Sequence, residues 1–526
     1  MMIFAKLCLL GSLAFLLVTR VRTLLTYFQQ EEYDGQRFVG AWKSVRLFDV
    51  RASLATVLAV AIAALGLNGV LVNLLLASAY LALAYLERAH RYKKALVNTK
   101  RASRIYRLTL GTLGVLALPI LLHALWAVFI LQAAPAVMVG INRLLQPLQA
   151  HINAGFEVQA REKLERLNPV RIGITGSFGK TTVKHMLAEI LEASSPVYFS
   201  RGSINTILGH TRHIRQRLQW SHRYFIAEMG AYGIGSIKRL CDFVHPGYGI
   251  ITAVGDAHTE RFGSIEAIAQ AKSELASEVC TVGGTIVLNA ELLMYEPFQR
   301  IRETFGKKVV TVGFTDADVT IKYREIEGGS WSIALQSENP QLAGITYELP
   351  LLGDHNVMNS ALAVTLAVIL DPKIADQIPL FTRTISQVPH RLQKVGAPGS
   401  ALILDDAYNS NELGFISAVS AMSKLADQRR GRRILVTPGI AELGLEHDRV
   451  HERLGAFCAE NCDVIYVVNP NRIDSFLKAA NQGKAKVIEV PTFSIAKALV
   501  SKDLEQNDVV LYENDLPDLL EEKRWL

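Results

Sequence analysis

The stretch Val170-Arg-Ile-Gly-Ile-Thr175, followed directly by Gly176-Ser-Phe-Gly-Lys-Thr-Thr182, decides the fold of most of this chain. Its first six residues are rich in β-branched side chains, which is typical of a buried strand. After the glycine turn, apolar residues recur at helical spacing, at Met186, Leu187, Ile190 and Leu191. A strand, a glycine turn and a helix N-terminus in this order form an anion site, because free backbone N–H groups converge there on phosphate. The stretch therefore predicts a nucleotide triphosphate site on a parallel α/β sheet.

Six residues of this loop are expected to hold ATP, namely Gly176, Ser177, Gly179, Lys180, Thr181 and Thr182. Lys180 adds a point charge for the phosphates, and a threonine hydroxyl can ligate Mg²⁺. The pattern departs from a strict Walker A motif, since Ile174 stands where that motif has its first glycine. A structural turn that contains a lysine by chance is the alternative. The flanking strand and helix favour the nucleotide site.

Two more polar groups follow apolar strands further along the chain. Glu228 comes after Tyr224-Phe-Ile-Ala227, and His258 lies shortly after Gly249-Ile-Ile-Thr-Ala-Val254. Ligand groups gather at the carboxyl ends of the strands in a parallel sheet, so both side chains are expected to meet the phosphates and their metal. A carboxylate there can hold Mg²⁺, which prefers oxygen ligands. Taken one at a time, each residue fits equally well as a helix cap or as an ordinary hydrogen-bonded loop residue.

The N-terminal region has the composition of membrane-spanning helices. Residues 52 to 86 contain no charged side chain, and one helix of this length would span about 52 Å against a hydrocarbon core of roughly 30 Å. The run Gly66-Leu-Asn-Gly69 in its middle predicts a turn between two spans. Residues 108 to 141 repeat the arrangement around Pro119, and residues 7 to 19 form a shorter apolar anchor. We expect about five spans in all.

Basic residues between these spans predict which side of the membrane the loops face. The loop from 20 to 51 carries six basic residues and the loop from 88 to 107 carries eight, whereas both hairpin tips carry none. The positive-inside rule places both loops, and everything after residue 142, in the cytoplasm. The sequence therefore predicts a multi-pass protein of the cell membrane, with the lipid bilayer as a partner and its catalytic domains cytoplasmic.

Composition and charge exclude several classes of protein. Half of the residues are hydrophobic and only 20% are charged, which excludes a mainly disordered chain. The net charge of +7 arises in the first 107 residues, which hold 15 basic and 5 acidic side chains, so no nucleic-acid partner is expected. The five cysteines are too few and too scattered for a disulfide framework or a four-cysteine zinc site.

The last third of the chain reads as a second α/β unit. Apolar β-rich runs at 401–404, 434–437, 464–468, 486–490 and 509–512 alternate with helical stretches, which favours a Rossmann-like parallel sheet. The predicted fold class is thus α/β with three parts. These are an N-terminal helical membrane region at 1–150, a central P-loop ATPase-like parallel-sheet domain at 151–388 and a C-terminal Rossmann-like domain at 389–526.

An ordered set of short motifs between residue 170 and about residue 460 resembles the Mur ligase family. The phosphate loop comes first, and no later motif is specific when taken alone. Their order along the chain makes the resemblance specific. The later motifs are Glu228-Met-Gly-Ala231, Ala257-His258, Ala271-Lys-Ser-Glu274, Leu288-Asn-Ala290, Gly353-Asp-His-Asn-Val-Met-Asn359, His390-Arg-Leu392, Asp405-Asp-Ala-Tyr-Asn409 and Glu442-Leu-Gly444.

The resemblance implies an enzyme, an ATP-dependent acid–amino-acid (peptide) ligase. In the family, ATP phosphorylates a substrate carboxylate to an acyl phosphate, and an amine then displaces the phosphate to give an amide. Positioning and charge neutralisation do most of the work in such a phosphoryl transfer. The resemblance places Lys180 on the β and γ phosphates, Thr181 and Glu228 on one Mg²⁺, and His258 near a second.

Six further residues take roles from the same resemblance. Lys272 matches a family lysine that is carbamylated and so becomes an acidic group that supports the metal, and a surface salt bridge is the alternative. Asn289, Asn356 and Asn359 correspond to residues beside adenine. Arg391 and Asp406 would reach the nucleotide from the C-terminal domain, in a motion that closes the site and excludes water.

Two departures from the family bear on the substrate. Hydrophobic helices stand where a soluble member has a separate domain that grips a UDP moiety. Tyr512-Glu-Asn-Asp-Leu516 also stands where that member has a Lys-Gly-Ser sequence. The expected function is a membrane-anchored ligase in the synthesis of cell-wall peptidoglycan or another envelope precursor. It would join a carboxylate-bearing precursor, membrane-borne or otherwise different from the UDP-linked one, to an amino acid or dipeptide.

Two alternatives stay open at the level of the sequence. The soluble part could be the ATPase module of a membrane transporter, although the spans contain no buried acidic or basic residue to mark a transport path and His123 is the only candidate. It could also be a substrate-activating subunit that works with an amidotransferase partner, although the chain lacks the zinc-ribbon cysteines that would favour this role.

Overall fold

The computed structural model describes residues 1–44, 48–255, 262–326, 329–397, 399–408, 411–441, 443–516 and 526. These residues form two compact units. The first contains Met1–Asn153 with Leu516 and Leu526, and the second contains Ala154–Asp515. The first unit is helical, and the second holds two β-sheets with helices on their faces. The predicted fold class, with a helical N-terminal region, a central parallel-sheet domain and a C-terminal sheet domain, is confirmed.

The first unit is built from long apolar helices. Side chains of Asp49, Asn68 and Thr99 cap the helices that follow them by accepting a backbone N–H of the first turn. Gly66, at a φ of +92°, lies in the turn predicted between the third and fourth helices. The helices are α1 Met2–Gln30, α2 Gly35–Ser44, α3 Val50–Ala64, α4 Gly69–Ala89, α5 Lys100–Leu116 and α6 Trp126–Leu167.

Four helical segments in the described part of the chain are long and apolar enough to cross a membrane. They are Met2–Gln30, Gly69–Ala89, Lys100–Leu121 and Trp126–Leu167, and they are identified by length and composition alone. Helix α3 is apolar as well but has only 15 residues. Residues of these helices share one buried cluster that includes Leu16, Tyr80 and Met138.

The first unit buries charge, which corrects the expectation of uncharged spans. Helix α1 continues through Arg20 and Arg22, which the sequence had placed in a loop. The Arg20 side chain is 4% exposed, and its guanidinium binds a carboxylate oxygen of Asp49 at 2.7 Å and one of Glu87 at 2.5 Å. Glu87 also accepts a hydrogen bond from the Thr23 hydroxyl at 2.6 Å. Because its charge is paired on both sides, Arg20 can lie inside a helical core.

The central sheet has nine strands in the order β2-β3-β1-β4-β5-β6-β7-β8-β9. The pairs from β2 to β7 are parallel, and β8 and β9 join antiparallel. In this register Ile174 lies opposite both Glu228 and Ile250, so these strands end at one edge. The strands are β1 Val170–Thr175, β2 Val197–Phe199, β3 Tyr224–Glu228, β4 Tyr248–Ile251, β5 Thr285–Asn289, β6 Val309–Gly313, β7 Val319–Ile326, β8 Ser330–Ser337 and β9 Thr346–Leu349.

Helices cover both faces of this sheet, which explains why its strands read as continuous apolar runs. One face packs around Val183 and Leu187, and the other packs around Leu275 and Phe298. The helices are α7 Lys180–Glu192, α8 Ile207–Arg217, α9 Ser236–Val244, α10 Ile265–Thr281, α11 Glu296–Phe305, α12 His355–Leu370 and α13 Ile378–Thr382.

The second sheet has six strands in the order β10-β11-β15-β12-β13-β14, and all are parallel except β10. The last strand therefore inserts between two earlier ones, next to Asp405 and Asp406. The strands are β10 Gln393–Val395, β11 Leu402–Asp406, β12 Arg433–Thr437, β13 Val464–Val468, β14 Lys486–Val490 and β15 Val509–Glu513. The helices are α14 Glu412–Arg429, α15 His447–Asn461, α16 Asp474–Ala480 and α17 Phe493–Asp503.

Candidate active site

The glycine turn joins the end of β1 to the first residue of α7, as the sequence predicts. Gly176 has a φ of +154°, and a Cβ there would lie 1.9 Å from the Thr252 hydroxyl. Gly179 has a φ of +81°, and a Cβ there would lie 2.5 Å from the Asn359 amide oxygen. The backbone N–H of Ser177 donates to the carbonyl of Ala253. The turn is thus held against the exit of β4, in a conformation that only glycine fits at two points.

Lys180 lies folded over this turn. Its ammonium donates to the carbonyl of Gly176 at 2.6 Å and to the carbonyl of Ser177 at 3.1 Å. The pKa of Lys180 is lowered to about 8, mainly by burial; the charges of Arg391 and Lys184 act in the same direction, whereas that of Glu228 opposes them. The free protein therefore holds a lysine whose charge is poorly balanced, which is the electrostatic condition of a site for anions.

Glu228 ends β3 and is 1% exposed, directly beside the start of α7. Its Oε2 accepts hydrogen bonds from the Thr181 hydroxyl at 3.0 Å and from the Lys184 ammonium at 2.8 Å. The Thr181 hydroxyl also lies 3.2 Å from that of Ser203. The backbone carbonyl of Glu228 lies 2.8 Å from Nε2 of His210, a fully buried ring whose pKa is lowered to about 4 by burial. The predicted pair of Thr181 and Glu228 is therefore brought together in the structure.

Lys272 lies on α10 and is 4% exposed, so the alternative of a surface salt bridge is wrong. Burial lowers its pKa well below the usual range for lysine, and the charge of Lys180 acts in the same direction. Among the described residues, none accepts a hydrogen bond from its ammonium. Lys272 is thus a buried amine whose neutral form is favoured by burial and by the nearby charge of Lys180.

The three asparagines predicted beside adenine are all buried, and each side chain forms hydrogen bonds with different neighbours. Asn359 faces the glycine turn, and its amide nitrogen donates to the Asn356 side chain at 3.1 Å. Asn356 in turn donates to the carbonyl of Leu352 at 2.6 Å. Asn289 ends β5 and caps the following turn by accepting from the backbone N–H of Glu291 at 3.1 Å. The first two lie by the phosphate loop, and contact with adenine stays a prediction for all three.

The C-terminal domain brings Arg391 to this loop. A small cleft is lined by Thr182, Asn356, Gln387 and Arg391. The Arg391 guanidinium also lies 4.4 Å from the ring centroid of Tyr408. Residues of the two sheets therefore meet at the predicted site, and Arg391 is placed where an anionic ligand on the turn would attract it.

Asp406 ends β11, and its carboxylate accepts a hydrogen bond from the backbone N–H of Leu392 at 3.1 Å. Burial raises the pKa of Asp406 to about 6, although the charge of Arg391 lowers it. This residue fixes the loop that carries Arg391. A direct contact of Asp406 with nucleotide stays a prediction.

Four residues of the predicted motifs, Ala257, His258, Asn409 and Glu442, lie outside the described residues. Conversely, the sequence analysis missed Lys184 and His210, which contact Glu228. Lys184 stands four positions after Lys180 and therefore on the same face of α7, a spacing that could have identified it. His210 gives no comparable signal, because only the fold brings it beneath β3.

Comparison with known proteins assigns the chain to a family. The Mur ligase middle domain matches residues 174–367, and the Mur ligase, glutamate ligase domain matches residues 390–512. The UDP-N-acetylmuramoyl-tripeptide--D-alanyl-D-alanine ligase of Synechocystis is 30% identical over 369 residues, which cover 69% of this chain and 74% of that protein. The chain belongs to the Mur ligase family. It is accordingly an ATP-dependent peptide ligase.

Further relatives agree with this assignment. The enzyme of the same name from Haemophilus influenzae is 28% identical and covers 66% of this chain and 74% of its own length. Among solved structures, MurF from Acinetobacter baumannii is 26% identical, with a TM-score of 0.57 over 69% of this chain and 77% of that one. MurF from Thermotoga maritima in complex with ADP shares the fold, with a TM-score of 0.57, 24% identity and coverage of 69% and 80%.

The residues in the loop fit the phosphates of ATP with a divalent cation. At Gly179 the Asn359 side chain leaves no space for a Cβ. A glycine is expected where backbone N–H groups approach a ligand closely. Thr181 supplies a hydroxyl, and Glu228 supplies a carboxylate whose Oε2 accepts a hydrogen bond from that hydroxyl at 3.0 Å. Hydroxyl and carboxylate oxygens are the donor types that Mg²⁺ prefers. Lys180 supplies a positive charge for the phosphates.

Proposed function

We propose that this chain is a membrane-anchored, MurF-like ligase of envelope-precursor synthesis. It would join a carboxylate-bearing precursor to the amine of an amino acid or dipeptide. The placement of Lys180 and Thr181 at the start of α7, facing Glu228 at the end of β3, carries this proposal. The relatives add the substrate classes, since they are named as ligases of UDP-N-acetylmuramoyl-tripeptide and D-alanyl-D-alanine.

The first step is phosphoryl transfer to the precursor. The backbone N–H groups of the turn and the ammonium of Lys180 bind the β and γ phosphates, while Thr181 and Glu228 hold Mg²⁺. When bound, Mg²⁺ neutralises charge on the phosphate oxygens. An oxygen of the substrate carboxylate attacks the γ phosphorus, and the bond to ADP breaks. His258 would support a second metal ion, as the family resemblance implies.

The second step is attack by the amine. The amine nitrogen bonds to the carbonyl carbon of the acyl phosphate, loses a proton, and inorganic phosphate leaves with the former carboxylate oxygen. Water competes with the amine for the same carbon, so the site has to exclude it. Arg391, which lines a cleft with Thr182 and Asn356, is the residue by which the C-terminal domain closes on the phosphates.

Lys272 fits the role of the carbamylated lysine. The lone pair of a neutral amine can add to CO₂, forming an N–C bond and releasing a proton, and burial favours the neutral form of Lys272 by lowering its pKa. The resulting carbamate would be an anion near the positive charge of Lys180. We expect ¹³C-bicarbonate to give a carbamate resonance in the wild-type protein that is absent from Lys272→Arg. A spectrum that is identical for the two proteins would contradict this role.

The N-terminal helices are proposed to anchor the ligase to the membrane. Four helices with the required length and apolarity, and eight basic residues between residues 88 and 107, support a multi-pass arrangement with cytoplasmic catalytic domains. A protein held at the membrane can act on a membrane-borne precursor. A lipid-attached carboxylate is therefore proposed alongside the UDP-linked one.

The test is a phosphate-release assay on the full-length protein in lipid nanodiscs. With ATP, UDP-N-acetylmuramoyl-tripeptide or a lipid extract, and D-alanyl-D-alanine, we expect release to need the acid and the amine together. Hydroxylamine in place of the amine should trap the acyl phosphate as a hydroxamate, and Lys180→Met should abolish both signals. ATP hydrolysis that is unchanged without any acceptor, with no hydroxamate, would refute the ligase. Preference for ammonia with a co-purified glutaminase would favour the amidotransferase alternative.

A further inference from the structure

Lys184 is a charged side chain that is fully buried yet absent from the roles assigned so far. It lies on α7 one turn beyond Lys180, and its side chain is 0% exposed. A buried ammonium is costly unless it is paired and hydrogen-bonded. Here it donates to the Glu228 carboxylate at 2.8 Å and to the backbone carbonyl of Gly202 at 2.5 Å. Both acceptors belong to segments that border the proposed metal site.

The two bonds to Glu228 fall on a single oxygen. Oε2 accepts from both Lys184 and the Thr181 hydroxyl, and no donor among the described residues reaches Oε1. A carboxylate oxygen already occupied by an ammonium and a hydroxyl has little left to offer a cation, whereas the other oxygen keeps its lone pairs. The position of Lys184 therefore decides which oxygen of Glu228 is available.

The hydrogen bond from Lys184 to the Gly202 carbonyl also fixes a neighbouring turn. Ser203 follows Gly202 directly, and its hydroxyl lies 3.2 Å from that of Thr181. By holding the Gly202 carbonyl, Lys184 fixes the backbone that presents Ser203. One ammonium thus sets the positions of a carboxylate and of a turn whose hydroxyl contacts Thr181.

We propose that Lys184 is a positioning residue for the metal site: it holds Oε2 of Glu228 and the Gly202 turn so that Oε1 of Glu228 faces the cation. The inference rests on the proposed function, because it requires Mg²⁺ at Thr181 and Glu228. Lys184 itself touches neither substrate nor metal. Its effect is transmitted through the carboxylate.

The experiment measures ADP binding to the full-length protein as a function of Mg²⁺ concentration. Loss of a residue that orients a metal ligand typically weakens metal affinity by about 10- to 100-fold, so Lys184→Met should raise the half-maximal Mg²⁺ concentration by at least ~10-fold. The matched control is Lys238→Met, because Lys238 also forms an ion pair with a glutamate, Glu278 at 2.7 Å, but is 55% exposed and belongs to no site. The control should leave the midpoint unchanged.

A second comparison separates positioning from a general effect of charge. If Lys184 acts through Glu228 alone, adding Lys184→Met to Glu228→Gln should shift the Mg²⁺ midpoint by less than about twofold. The double variant removes both charges of the ion pair, and in the reference variant Glu228→Gln the amide oxygen and the Gly202 carbonyl can still accept from Lys184. This comparison therefore does not depend on whether Lys184→Met alone folds. A further shift of about tenfold in the double variant would overturn the proposal.

The outcomes distinguish this inference from the proposed function. Wild-type protein that binds ADP with no Mg²⁺ dependence would refute the metal site itself. A Mg²⁺-dependent wild type, combined with a Lys184→Met variant whose midpoint stays within about twofold while its melting temperature falls, would show a purely structural ion pair and overturn only the inference.

Discussion

The pKa of Lys180 gives a quantitative test of the phosphate site. In the free protein, burial and the neighbouring cations lower this pKa to about 8. Phosphate oxygens at the turn favour the charged form, so binding of nucleotide must raise the pKa. Below about pH 8 the lysine is protonated in both states, and affinity should not depend on its titration. Above that pH the free protein has to take up a proton in order to bind.

The size of the effect follows from this linkage. Affinity should fall by about tenfold for each pH unit above the free-state pKa, until the pKa of the complex is reached. For a free-state pKa of about 8, ADP should bind roughly 30-fold more weakly at pH 9.5 than at pH 7. Lys180→Met should bind weakly throughout, and its affinity should lose this pH dependence, since no group at that position can then gain a proton.

Isothermal titration calorimetry in buffers of different ionisation enthalpy measures both quantities. We expect uptake of about half a proton per ADP at pH 8, approaching one proton near pH 9, for the wild type only. Lys238→Met serves as the control that keeps the wild-type profile. Circular dichroism at each pH confirms that the protein stays folded. A wild-type affinity for ADP that is constant between pH 7 and 9.5, or a release of protons on binding, would refute the claim that the phosphates bind beside Lys180 and raise its pKa.

Two further predictions concern the turn and the helical unit. Gly179→Ala places a Cβ 2.5 Å from the Asn359 side chain, at a backbone φ of +81° that favours glycine. The affinity for ADP should therefore fall by at least ~10-fold. The control Gly233→Ala, which has open space at its Cβ, should bind ADP normally in the same titration. Arg20→Met leaves two buried carboxylates without their cation, at a cost of about 3–5 kcal/mol, and should lower the melting temperature in detergent. Arg22→Met, at an exposed position of the same helix, should not. Equal melting temperatures for the two arginine variants would contradict the stabilising role of the buried ion pairs.

The sequence predicted the phosphate loop well because its geometry is local. A strand, two glycines with positive φ and a helix N-terminus are all encoded within residues 170 to 182, and the structure places them as expected. The approach of Thr181 to Glu228 was also predictable, since strands of a parallel sheet end at one edge. Contacts between segments that are distant in the sequence could not be predicted in this way. The contact of His210 with the carbonyl of Glu228 arises only from how α8 packs beneath the sheet.

The same distinction explains the errors in the helical unit. Hydropathy identified the apolar helices, but a hydropathy scan treats an arginine as the end of a span. Arg20 continues α1 because Asp49 and Glu87, which lie 29 and 67 residues away in the chain, neutralise it. Whether a charge is tolerated inside a helix depends on its partners in space, and a scan along the sequence contains no information about them.

The charges around the turn suggest an order of events at the site. Lys180, Lys184 and Lys272 all have lowered pKa values, and the Lys184 ammonium contacts the Glu228 carboxylate. Burial therefore disfavours the charged forms of these amines in the free protein, and the negative charge of a triphosphate acts in the opposite direction. The same negative charge would also raise the pKa of Lys272 and so make its amine less able to add to CO₂. Carbamylation of Lys272 should accordingly be favoured before nucleotide binding, because the phosphates would shift the amine toward its charged form.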